Sequence, residues 1–125
     1  MDWVVRIGLV ELAIGGLLGW AMVVRDERPE WLRRIGVVAP HRIRQVHLDY
    51  VMMGLILIGV GLAVPNLADP FAVALVFGTI VNPFLFVPPA FDPAVQKRLW
   101  YRSLAVVSFV GVSGGLVAAA ITGVG

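Results

Sequence analysis

Glu11, His47, Asp49 and Asn82 are the side chains of this chain whose chemistry stands out, because each lies inside or at the edge of a long apolar stretch. Ionisable groups at membrane depth are costly and mark functional positions by default. His47 offers an imidazole, a common proximal ligand of haem iron. On a helix turning about 100° per residue, Gly54, Ile58 and Gly61 fall within about 40° of His47. The imidazole is therefore expected to overlook a groove floored by glycine, with room for a flat macrocycle. The alternative is an interfacial histidine bonded to a neighbouring backbone or headgroup. Asp49 lies about 200° round the same helix, on a face with Arg42, Gln45 and Met53. A His47–Asp49 dyad is geometrically poor, and Asp49 is expected to pair with Arg42 or another base near the interface.

Glu11 shares a helix face with Gly8, Gly15 and Gly19, so it should point into a packed seam and not into lipid. There it must be protonated or find a donor such as Arg6, Asn82 or a bound group. Gly15–Gly19 and Gly111–Gly115 have the small-xxx-small spacing that lets helix backbones approach closely. Asn82 precedes Pro83, which has no N–H to give the Thr79 carbonyl. Interrupted backbone of this kind is tolerated in membranes where it faces protein or a cavity, which makes Asn82 and Thr79 further site candidates.

Four apolar stretches must position these groups, at about residues 3–24, 46–64, 71–87 and 103–124. Each approaches the roughly 20 residues a helix needs to cross the hydrocarbon. The third is the shortest, and Pro83 should kink or end it. Between the second and third, Pro65 to Pro70 reads as a tight polar turn forcing an antiparallel hairpin. The first stretch lacks a basic leader and a small-residue cleavage pattern, so it is read as a span and not a signal peptide. The expected fold is an all-α integral membrane four-helix bundle formed by one domain, 1–125.

Composition supports that solvent. Hydrophobic residues make up 59% of the 125 residues and charged ones 14%, about half the charge density of a soluble domain. The net charge of +2 is a matter of topology, not nucleic-acid binding. Arg25, Arg28, Arg33, Arg34, Arg42 and Arg44 lie in the first loop, and Lys97, Arg98 and Arg102 in the third. With four spans both loops share one face, expected to be cytoplasmic with the termini outside, in a cell membrane. Trp31 and Leu32, flanked by Glu30, Arg33 and Arg34, suggest a short amphipathic helix in the first loop; a solvated connector is the alternative. Trp3, Trp20, Trp31 and Trp100 fall near span ends, as headgroup anchors do.

The chain has no cysteine, so thiolate chemistry and disulfides are excluded. It carries no glycine-rich phosphate loop, no paired metal-binding histidines and no Ser-His-Asp arrangement. His41, beside Pro40, is expected to be solvated.

The segment His47-Leu48-Asp49-Tyr50-Val51-Met52-Met53-Gly54 resembles the start of the second span in the hydroxylaminobenzene mutase and styrene oxide isomerase superfamily of small four-span proteins. Gly15-Gly16-Leu17-Leu18-Gly19 is similar to the first span of the mutases, and Asn82 falls where that superfamily has an Asn-containing polar segment. The resemblance covers roughly three spans. It implies a homotrimer binding haem b between subunits, with His47 as axial ligand and Tyr50 and Gly54 beside the cofactor. A small apolar substrate goes with that reading, and Asn82, with Glu11 from its place in the first span, is the catalytic candidate. In the isomerases iron acts as a Lewis acid on an epoxide oxygen. Where the superfamily has Asn before the glycine this chain has Met53, and where the isomerases have a tyrosine it has Phe86. Haem or ligand binding tolerates those departures better than the same reaction does. A non-enzymatic reading, as an assembly subunit or haem sensor, therefore stands beside the isomerase one. Arg42 to Asp49 is also loosely similar to the second-span motif of the trimeric enzymes of eicosanoid and glutathione metabolism, with the arginines in a different register.

Overall fold

The computed structural model describes residues 2–125, which contain helices and no strand. In chain order the helices are α1 (Asp2–Glu27), α2 (Pro29–Arg34), α3 (His41–Ala63), α4 (Asp69–Phe84), α5 (Val87–Phe91) and α6 (Leu99–Val124), with a 3₁₀ turn at Pro93–Lys97 before α6. Four of these segments are long and apolar enough to cross a membrane: α1, α3, α4 continued through α5, and α6. The bundle is an all-α integral membrane one.

The helices overrun the apolar stretches because hydrophobicity marks the depth of hydrocarbon, whereas backbone signals mark helix ends. α3 starts at His41, immediately after Pro40, a residue suited to the edge of a helix and not to its interior. α4 stops at Phe84, one residue after Pro83. The chain then turns and restarts as α5 behind Val87-Pro88-Pro89, so the short third span is completed by a second helical piece. The N-terminal end of α1 lies beside the α3–α4 turn, where Trp3, Arg6, Pro65 and Asp69 line one cavity. Gly123 of α6 also reaches Val64 there. This is the end opposite the basic loops.

Two helix pairs form the bundle, α1 on α3 and α4 on α6, with α3 and α4 joining them. Glycine sets both close approaches. A Cβ on Gly54 would lie 2.7 Å from the Leu12 backbone nitrogen, and one on Gly8 would lie 2.9 Å from the Gly54 carbonyl. Across the other pair, a Cβ on Gly78 would lie 2.5 Å from the Ser108 carbonyl, and one on Gly111 would lie 2.7 Å from the Ala74 carbonyl. The glycine faces around Gly15 and Gly111 are thus filled within one chain. Between the pairs, Val4, Met53, Leu57, Leu75 and Val112 form the apolar core.

Outside, the pattern of a water-soluble protein is inverted. Leu17, Trp20, Leu62, Phe109 and Ile121 are exposed while Glu11, Thr79 and Ser108 are buried. Contiguous apolar surface on this scale marks a non-aqueous neighbour, here the lipid. All four tryptophans are exposed.

The first loop is a docked element. Leu32 of α2 packs with Val37 and Ala90, supported by Val24 and Ile43. The Val38 and Ala39 amides both donate to the Ala90 carbonyl, at 2.8 and 3.0 Å. Gly36, at φ 97°, makes the left-handed turn that brings the chain back after α2, a conformation that favours glycine. Trp31 stays on the open face of α2, as an amphipathic interfacial helix requires.

Candidate functional site

Two polar places occupy the interior, and each takes residues from more than one helix. The first is on the α1–α3 seam. His47 Nδ1 lies 2.6 Å from the Gly15 carbonyl oxygen. A carbonyl can only accept, so Nδ1 carries the proton and donates. In the neutral ring Nε2 then carries the lone pair, the form in which imidazole ligates a metal. A backbone carbonyl on the other ring nitrogen is also the usual device that fixes a ligating histidine's tautomer and orientation. Gly19 borders the ring: a Cβ there would lie 3.4 Å from His47 Cε1, at ordinary van der Waals distance.

The glycine groove expected next to His47 is closed. Gly54 meets the backbone of α1 at Leu12 and Gly8, and a Cβ on Gly8 would touch Ile58. Helical phase put these residues on one face correctly, but α1 fills that face. Tyr50 faces elsewhere too, donating its hydroxyl to the Ile80 carbonyl of α4 at 3.0 Å. His47, Tyr50 and Gly54 therefore do not line one common surface.

The second place is the centre of the bundle, and it draws on all four spans. Asn82 Nδ2 of α4 donates to Asp49 Oδ2 of α3 at 3.3 Å. The Ser108 hydroxyl of α6 shares its one proton between the Ala105 carbonyl at 3.1 Å and Asn82 Oδ1 at 3.4 Å. Thr79, fully buried, donates to the Val76 carbonyl at 2.9 Å. Glu11 of α1 is buried beside this group, with the Thr79 hydroxyl and Asp49 among its neighbours. It is 3% exposed, and neither carboxylate oxygen has a hydrogen-bond partner among the described residues.

Glu11 and Asn82 thus share one centre, and the Gly15 carbonyl that His47 contacts lies one turn along α1 from Glu11. The expected partners of the two acids are placed differently. Arg42 donates to Gln45 at 2.8 Å and to Gln96 at 3.3 Å, and Asp49 is held by Asn82 instead. Arg6 is exposed at the opposite end of the bundle. The ion pairs among the described residues, Arg25–Asp26 and Arg28–Glu30, both lie beside the first loop. No cluster of three or more His, Asp or Glu side chains suited to a metal ion occurs among the described residues.

Ser108 was not singled out by its type, since a lone serine in an apolar span carries little signal. Its spacing to Gly111 and Gly115 held the clue, because all three lie on the face that packs against α4. Tyr101 is a second such residue: its hydroxyl donates to the Leu85 carbonyl at 2.5 Å, capping the backbone just after Pro83. Met53, where the resembled superfamily has Asn, is a buried core residue. Phe86 is partly buried in the turn before α5.

The chain matches no protein-family model, no curated protein and no solved structure.

Proposed function

We propose that this four-span membrane protein binds haem b through His47 and belongs to the isomerase or mutase type of chemistry. The observation that carries the reading is the His47 Nδ1 contact with the Gly15 carbonyl, which orients the ring so that Nε2 of the neutral imidazole would hold the iron. The fit extends to the ligating atom and not to the floor, since α1 occupies the face of Gly54. A group ligated by His47 therefore lies outside the packed seam, and another copy of the chain, as in a homotrimer, would complete its surroundings. Haem iron held by His47 would supply a Lewis acid for an oxygen of a small apolar substrate such as an epoxide. The chain's own part is to hold the imidazole, fix its proton on Nδ1 and keep the surroundings apolar. The basic first and third loops are assigned to the cytoplasmic side of the cell membrane.

A second reading, a haem sensor or assembly subunit without catalysis, is favoured by a specific observation. Met53 is in the core, and Asn82 is engaged by Asp49 and Ser108 within the bundle. Protein expressed with a haem precursor should show a Soret band that His47→Ala removes. Colourless protein under those conditions ends both haem readings. If the band is present, conversion of an aryl epoxide to aldehyde separates enzyme from sensor.

A further inference from the structure

The first loop carries more positive charge than its acids neutralise. Residues 25–44 hold six arginines and three acids, Asp26, Glu27 and Glu30. Arg25 pairs with Asp26 at 3.1 Å and Arg28 with Glu30 at 3.9 Å, while Arg42 donates to two glutamines. Arg33, Arg34 and Arg44 are exposed and have no ion pair among the described residues. Their depth is set by packing. Leu32 of α2 rests on Val24, where the first apolar stretch ends, so α2 lies where hydrocarbon gives way to headgroups. Trp31, Ile35 and Val38 are exposed beside the arginines. Apolar and basic side chains together on an exposed surface at this depth suit the boundary between acyl chains and headgroups.

Arg33 also lines a cavity of about 480 Å³, with Pro29, Gly36, Val37, Val38 and Pro40. The other lining residues carry no charge, so no acid there competes for the guanidinium. The cavity is a fixed feature of the docked loop. Gly36 turns the chain back at φ 97°, and the Val38 and Ala39 amides hold it to the Ala90 carbonyl. The planar fork of a guanidinium matches two oxygens of a phosphate. Every phospholipid offers a phosphate, but Arg34, next along α2, and Arg44 in α3 add charge at the same end of the bundle. Basic residues on an interfacial helix favour lipids of net negative charge. We infer that the cavity at Arg33 binds the phosphate of an anionic phospholipid of the phosphatidylglycerol type, with Trp31, Ile35 and Val38 set at its acyl chains.

The test is mass spectrometry of the intact chain released from neutral detergent, with phosphatidylglycerol or phosphatidylcholine of the same acyl chains added. Wild type should retain phosphatidylglycerol about fivefold more than phosphatidylcholine. Arg33→Gln should lower phosphatidylglycerol retention about fivefold, the scale of one basic residue at an anionic surface. Val38→Glu, which puts an acid into the same lining, should lower it at least as far. Both positions are exposed, so the packed bundle is not at stake. Arg6→Gln removes the same charge from the opposite end and should behave as wild type. The inference is overturned if wild type retains the two lipids equally, or if Arg33→Gln or Val38→Glu retains phosphatidylglycerol as wild type does. It is equally overturned if Arg6→Gln loses as much as Arg33→Gln, because net charge alone then attracts the lipid. Displacement of the lipid by millimolar glycerol phosphate would overturn it too, since the site then takes a soluble phosphate.

Discussion

Asn82 of α4 and Asp49 of α3 meet through a 3.3 Å hydrogen bond, and that bond joins the two helix pairs of the bundle. Asn82 also receives Ser108 of α6. One amide therefore links three of the four spans, at the point where Pro83 ends the regular backbone of α4. Side-chain hydrogen bonds between membrane helices contribute modestly because the separated helices find other partners. Their role here is to fix which faces meet.

Removing this link should show as coupling between the two positions. Asp49→Ala, Asn82→Ala and the double variant, compared by reversible unfolding in detergent, should give an interaction energy of about 0.5–3 kcal/mol. Additive single effects would mean that the contact contributes nothing.

The α1–α3 seam should discriminate sharply between glycines on one helix. Gly54→Ala places a methyl 2.7 Å from the Leu12 nitrogen and 2.8 Å from the Gly8 carbonyl. Overpacking of this kind costs about 1–3 kcal/mol. Gly59→Ala has nothing within 4 Å and should be neutral or slightly stabilising, since alanine favours helix. Equal thermal stabilities for the two variants would refute the close approach of α1 to α3.

Tyr101 supports the interruption after Pro83. Tyr101→Phe removes the donor to the Leu85 carbonyl and should lower stability by about 0.5–1.5 kcal/mol. Hydrogen exchange should speed up locally at Leu85–Phe86 while α1 is unaffected. Unchanged exchange at that turn would show that the hydroxyl does not hold it.

Orientation can be read cleanly because the chain has no cysteine. A single cysteine at Arg33 should resist a membrane-impermeant maleimide in intact cells and react after lysis, whereas one at Asp69 should react in both. The reverse pattern would invert the assigned topology.

The spans were legible because twenty-odd apolar residues in a row have one stable use in lipid, and the loop charges stood out against them. The polar residues of interest were legible for the same reason: Glu11, His47 and Asn82 are conspicuous where most neighbours are Leu, Val or Gly. Their partners were not. Arg42 shares a helical face with Asp49, yet its guanidinium reaches Gln45 and Gln96, because that end of α3 packs near the turn before α6. The Gly54 face looked open when α3 was considered alone, and α1 closes it.

By itself, the sequence determined that this is a membrane bundle of four helices and which few polar groups lie inside it. Hydrophobicity and helical period are local properties, readable from consecutive residues. The tertiary structure decided that His47 meets the Gly15 carbonyl, that Asn82 holds Asp49, and that Glu11 is left buried beside Thr79 without a hydrogen-bond partner. Those pairings depend on how each helix is rotated and slid against its neighbours. Glycines at close approaches set that rotation and offset, and helical phase along one segment does not contain them.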